Sequence, residues 1–115
     1  MTYDLGLVAR IADALEQIGE HAVRQKNIFG GRGFLVGRHA FVIVSDDAII
    51  AKLTPDRYPR ALTESGVTPF APTGERPMGT WVVVDAEVLA DDPQLAHWLR
   101  RALAAVGRSE CSTDN

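Results

Sequence analysis

Three glycines in four positions, Gly30, Gly31 and Gly33, surround Arg32 and are flanked by Phe29 and Phe34. Successive backbone N–H groups in such a stretch can form an anion nest, with the Arg32 guanidinium helping to hold a phosphate. The stretch lacks the Lys-Ser/Thr spacing of a P-loop, and it follows a helical pattern instead of opening one. The plainer reading is a structural turn or bulge between strands, because glycine supplies φ > 0 and close backbone approach. A single Arg-Gly-Gly copy inside a folded domain says little about RNA.

Charge is unevenly placed along the chain. No acid lies between Glu20 and Asp46, whereas Arg24, Lys26, Arg32 and Arg38 fall there with His21 and His39. Residues 85–92 hold Asp85, Glu87, Asp91 and Asp92 and no base. Arg24, Lys26, Arg32 and Arg38 are therefore the candidates for an interaction surface, one that docks an acidic protein partner or, as a second reading, nucleic acid. The bland account is that solvated turns and strand edges tolerate charge, and that charged edges deter aggregation. Helix capping accounts for the acids in the same way. A net charge of −3 argues against attraction of the whole surface to nucleic acid or anionic lipid.

Nothing in the sequence assembles a catalytic or metal centre. His21, His39 and His97 share no ligand spacing with one another or with Cys111. Asp46-Asp47 reads as a turn former before it reads as a carboxylate pair. No nucleophile elbow and no Cys/His arrangement is present. Trp81, Trp98, Phe29 and Phe41 fit apolar faces and read as core. No catalytic residue, metal or cofactor is expected. The single cysteine suits a reducing compartment, no secretory signal is seen, and Ala40–Val44 is far too short an apolar run to span a membrane. The expected location is the cytoplasm.

The elements that must position these residues follow from periodicity. Leu7, Ile11, Leu15, Ile18 and Ala22 recur at steps of three and four, so a helix is expected from about Asp4 to Val23, with Glu20 and Arg24 as an i,i+4 pair. A short strand at Asn27–Phe29 is followed by a hairpin over Gly33–Val36 and His39–Ser45, turning at Gly37-Arg38. Asp46-Asp47 then turns the chain into a strand from Ala48 to Leu53. Thr54-Pro55-Asp56 resembles a helix start, but Pro59 leaves two readings: the helix starts at Pro59, or residues 55–58 form a separate turn. Gly66 is a helix stop, Val67–Phe70 and Thr80–Val84 are strands, and residues 71–79 are a Pro/Gly loop. Asp85 caps a short turn through Leu89. Asp92-Pro93 opens a last helix whose apolar face is Leu95, Trp98, Leu99, Ala102, Leu103 and Val106. The order α-β(3-4)-α-β(2)-α implies an α+β fold, an antiparallel sheet (a meander plus a second strand pair) with helices packed on it. One domain is expected over residues 1–107, followed by a disordered polar tail at 108–115.

Several of these segments resemble the TfoX N-terminal domain family. They are Lys26–Gly31, the hairpin Gly33–Phe41, Ile50-Ala51-Lys52, Pro69-Phe70, Met78–Trp81, Val88-Leu89 with Asp91-Asp92-Pro93, and Leu95 with Trp98. The resemblance covers roughly residues 5–106. It implies a compact α+β domain similar to the type III secretion chaperone fold. It also implies kinship with the TfoX/Sxy competence regulators, which act alongside a cyclic-AMP-responsive transcription factor, with no catalysis attributed to the domain. Those regulators carry a second domain after this one, and the sequence here ends at Asn115. The expectation is a stand-alone domain, with or without a second domain supplied in trans.

The resulting expectation is a non-catalytic regulatory or adaptor domain that works through protein contacts, with self-association through an open sheet edge as one route. The alternatives are a small nucleic-acid-binding module using the basic 24–38 stretch, and a small-ligand-binding protein or enzyme with a pocket between sheet and helices.

Overall fold

A computed structural model describes residues 3–28, 30–71 and 79–107. The first helix, α1 (Leu5–Ile18), is capped by Asp4, whose carboxylate accepts from the N–H groups of Gly6 at 2.8 Å and Leu7 at 3.3 Å. It ends at Gly19, which takes φ +99° and turns its own N–H and that of Glu20 back to the Leu15 carbonyl. That stop comes earlier than the apolar stripe through Ala22 suggests. The chain leaves the helix and enters β1 (Val23–Ile28), a longer strand than the expected Asn27–Phe29, of which Phe29 lies outside the described residues. Glu20 and Arg24 consequently are not a helical pair. Arg24 Nη2 instead donates to the Gly37 carbonyl oxygen at 2.7 Å.

Strands β2 (Gly31–Val36), β3 (His39–Ser45) and β4 (Ala48–Lys52) complete an antiparallel meander. Gly37 at φ +63° turns β2 into β3 and Asp46 at φ +55° turns β3 into β4, and aspartate is one of the few side-chain-bearing residues that tolerates this region. Residues 55–57 form a separate turn leading into the one-turn α2 (Tyr58–Ala61), so the helix starts one residue before Pro59 and Tyr58 belongs to it and not to the turn expected over residues 55–58. Then follow β5 (Val67–Pro69), β6 (Trp81–Val84), the short α3 (Ala86–Leu89) and α4 (Asp92–Ala105). The sheet order is β1-β2-β3-β4-β6-β5, so β6 runs back between β4 and β5, and every pairing is antiparallel. The architecture is α+β, with four strands in the meander and two in the second pair. The 71–79 loop lies almost wholly, and the 108–115 tail entirely, outside the described residues.

The helices share one face of the sheet. Ile11 and Leu15 from α1, and Trp98, Leu99 and Ala102 from α4, pack in one cluster with Phe34, Val42, Val44, Ile49, Ala51, Val82 and Val84. A register shift between Phe34 and Leu35 gives β3 an extra residue there, which lets both Phe41 and Val42 join the helix-side core. Leu35, Ile43 and Ile50 are also buried but lie outside that cluster, on the other face. Arg10 clips the helices together: its Nη2 donates to the Leu89 carbonyl at 2.7 Å and to Asp92 Oδ1 at 2.7 Å. Asp91, not Asp92, occupies the cap position of α4, and neither Asp91 nor Asp85 caps its helix through its side chain. Asp92 is the first helical residue, and its carboxylate serves the Arg10 contact.

Candidate functional site

Strand alternation scatters the basic stretch. Arg24 pairs with Leu35 and Lys26 with Gly33, so both cations share the sheet face opposite the helices. Arg32 pairs with Val44, a residue of the helix-side core, and therefore points the other way. Its guanidinium lies over the Tyr3 ring, 5.6 Å from the centroid, and Nη1 donates to Asn27 Oδ1 at 3.3 Å. Arg38 is exposed at the tip of the β2–β3 hairpin. Arg24 and Lys26 therefore form one unit on the β1 edge, with Arg38 at the hairpin end to which Arg24 is tied, and Arg32 stands apart from both.

The glycines divide in the same way. Gly30 turns at φ +76°, while Gly31 and Gly33 are strand residues of β2. A side chain at Gly31 would strike the Val44 carbonyl oxygen, and one at Gly33 would strike the end of the Ile28 side chain. Their absent side chains are thus accounted for by close approach within the sheet. His21 follows α1, His39 opens β3 and His97 lies on α4, and among the described residues no group of three His, Cys, Asp or Glu is placed to hold a metal ion. No helix among the described residues is long and apolar enough to cross a membrane.

A second basic region emerges only in three dimensions. Arg57 and Arg60, from the turn before α2 and from α2 itself, face His97, Arg100 and Arg101 of α4 across an open cleft of about 660 Å³. Spacings of three and four residues put His97, Arg100 and Arg101 on one side of α4. Arg101 is fixed in the cleft wall from two sides. Its Nη2 donates to Glu64 Oε2 at 2.7 Å, and its guanidinium lies over the Trp98 ring at 4.3 Å. Trp98 is fully buried, so the cation stands on the core itself. Arg57, Arg60 and Arg100 have no ion-pair partner among the described residues. Partial burial holds the His97 imidazolium below its ordinary pKa, and the neighbouring Arg101, Arg100 and Arg57 push the same way against Glu64.

A neighbouring groove between α1 and α4 carries Arg10 and Arg100 opposite Asp13 and Asp92, so its charges balance. The α2–α4 cleft instead sets four arginines against Glu64. The linear sequence gives little sign of it. Arg57 and Arg60 lie just after Thr54-Pro55-Asp56, and Arg100-Arg101 lie off the apolar face of the last helix. Only the packing of α2 against the same core as α4, through Ala61 and Trp98, brings them together.

No curated protein matches the chain. Residues 13–106, most of its 115 residues, match the family model of the TfoX N-terminal domain. The chain belongs to the TfoX N-terminal domain family.

Proposed function

We propose that this chain is a non-catalytic regulatory or adaptor domain that acts through protein contacts, in transcriptional or competence-type regulation. The observation that carries this reading is the family match over residues 13–106, since the family is a regulatory one. The β1 edge is the surface on which the reading places the partner. Among the described residues β1 is paired only with β2, and Arg24, Gln25, Lys26 and Asn27 are exposed, which makes β1 an edge that another strand can pair with. Two copies joined edge to edge would set Arg24 and Lys26 of each against those of the other, a like-charge arrangement that disfavours pairing. An extended acidic segment of another protein suits the edge better.

The test is affinity capture from the native cell with nuclease treatment, comparing the wild type with an Arg24→Glu/Lys26→Glu/Arg38→Glu variant. A protein retained by the wild type, lost with the variant and indifferent to nuclease is the expected result. Identical proteins on both, or material that disappears with nuclease, would contradict it.

A further inference from the structure

The α2–α4 cleft is not used by the β1-edge reading, and its composition is specific enough to be read by itself. It gathers four of the chain's 12 lysines and arginines, in a protein whose net charge is −3. Such a concentration is self-repelling unless something answers it. Glu64 answers one guanidinium, that of Arg101, and the resulting pair is held over Trp98 as a fixed wall. Arg57, Arg60 and Arg100 make no ion pair among the described residues, with Asp56 beside Arg57 in sequence and Asp13 and Asp92 sharing the neighbouring groove with Arg100. These three arginines come from two different elements and line the same space, which is the arrangement that forked N–H donors need to grip a multiply charged oxyanion.

The cleft also says what kind of anion fits. Its volume of about 660 Å³ lies in the range of small-molecule sites and exceeds what a single phosphate fills. Among the described residues no aliphatic side chain lines it, and its lining is dominated by arginines, which favours a charged ligand over a hydrophobic one. Arg57, Arg60 and Arg100, none of them in an ion pair among the described residues, leave the cleft positively charged, which favours the roughly threefold negative charge of a diphosphate near neutral pH over the roughly twofold charge of a single phosphate. We propose that the cleft between α2 and α4 binds a small anion carrying two linked phosphates, gripped by Arg57, Arg60 and Arg100.

His97 adds a pH dependence. It faces Arg57 and Glu64 from the α2 side and Arg100 and Arg101 from its own helix, with Arg60 lining the same space. A bound diphosphate offsets the arginine charges that now oppose protonation of the ring. Binding therefore favours proton uptake at His97, which partly offsets the charge that the diphosphate itself loses as it protonates at lower pH.

Isothermal titration calorimetry of the full chain with inorganic pyrophosphate tests the site. The expected result is saturable binding of one pyrophosphate per chain, with orthophosphate at least about tenfold weaker. Arg60→Gln/Arg100→Gln, and separately Arg57→Gln, should each weaken binding, the double variant by about tenfold or more. Arg24→Glu/Lys26→Glu should leave it unchanged, so loss of the β1-edge reading and loss of this one are told apart. As pH falls from about 8 to about 6, the wild type should gain affinity relative to His97→Gln, a comparison in which the ligand's own protonation cancels. Circular dichroism melts establish that each variant is folded. No saturable heat, equal affinity in folded Arg60→Gln/Arg100→Gln, or binding of a DNA oligonucleotide without binding of pyrophosphate would overturn the proposal.

Discussion

The two basic regions are built in opposite ways. Residues 24–38 are contiguous in sequence, yet alternation along β1 and β2 sends Arg32 to the opposite sheet face from Arg24 and Lys26. Residues 57–60 and 97–101 are remote in sequence, yet α2 and α4 pack on one core and bring their arginines to one cleft. The β1 edge is a surface on which charge rests. The cleft is anchored, because Arg101 stands on Trp98 and is held by Glu64. Nearness along the chain is therefore a poor guide to a charged site in strands, and helix packing is where such sites form.

Breaking the anchor has the largest expected effect. Trp98→Ala removes a fully buried ring beneath Arg101 and should cost about 3–5 kcal/mol in denaturant unfolding. Gly31→Ala acts on the strand side, placing a side chain against the Val44 carbonyl oxygen. It should cost about 1–3 kcal/mol by the same measurement, and the result shows whether the glycine is needed for packing.

The sequence made most of the fold legible and little of the cleft. The hairpin at Gly37-Arg38, the Asp46 turn and the face Leu95, Trp98, Leu99, Ala102 all depend on short-range pattern, which a single chain displays. The end of α1 was not legible, because Ala22 continues the apolar period while the left-handed Gly19 ends the helix before it. The position of β6 between β4 and β5, and the meeting of Arg57 with Arg100, depend on long-range packing that no local spacing records.

Smaller effects sharpen the contrast. Arg10→Ala removes the bonds to Leu89 and Asp92 and should cost about 1 kcal/mol, a modest loss because Asp92 is exposed to solvent. His97 should titrate below the ordinary 6.5 when followed by NMR, and Arg100→Gln should move its midpoint upward. Because its folded pKa is lowered, the unfolded chain takes up this proton first as pH falls. The contribution of His97 to stability is then complete above 6.5 and is lost as pH drops from there through the folded value. The smallest effect belongs to the β1 edge: Arg24→Glu/Lys26→Glu/Arg38→Glu should change stability by no more than about 0.5 kcal/mol per site while abolishing partner capture.

The separation of the two regions is tested most directly by a ¹⁵N–¹H correlation spectrum of the full chain titrated with inorganic pyrophosphate. Shifts confined to the Arg57–Glu64 and His97–Arg101 amides, with those of Arg24 to Arg38 unmoved, are the predicted result. Shifts centred on Arg24, Lys26 and the glycine stretch, with the α2–α4 cleft silent, would contradict it.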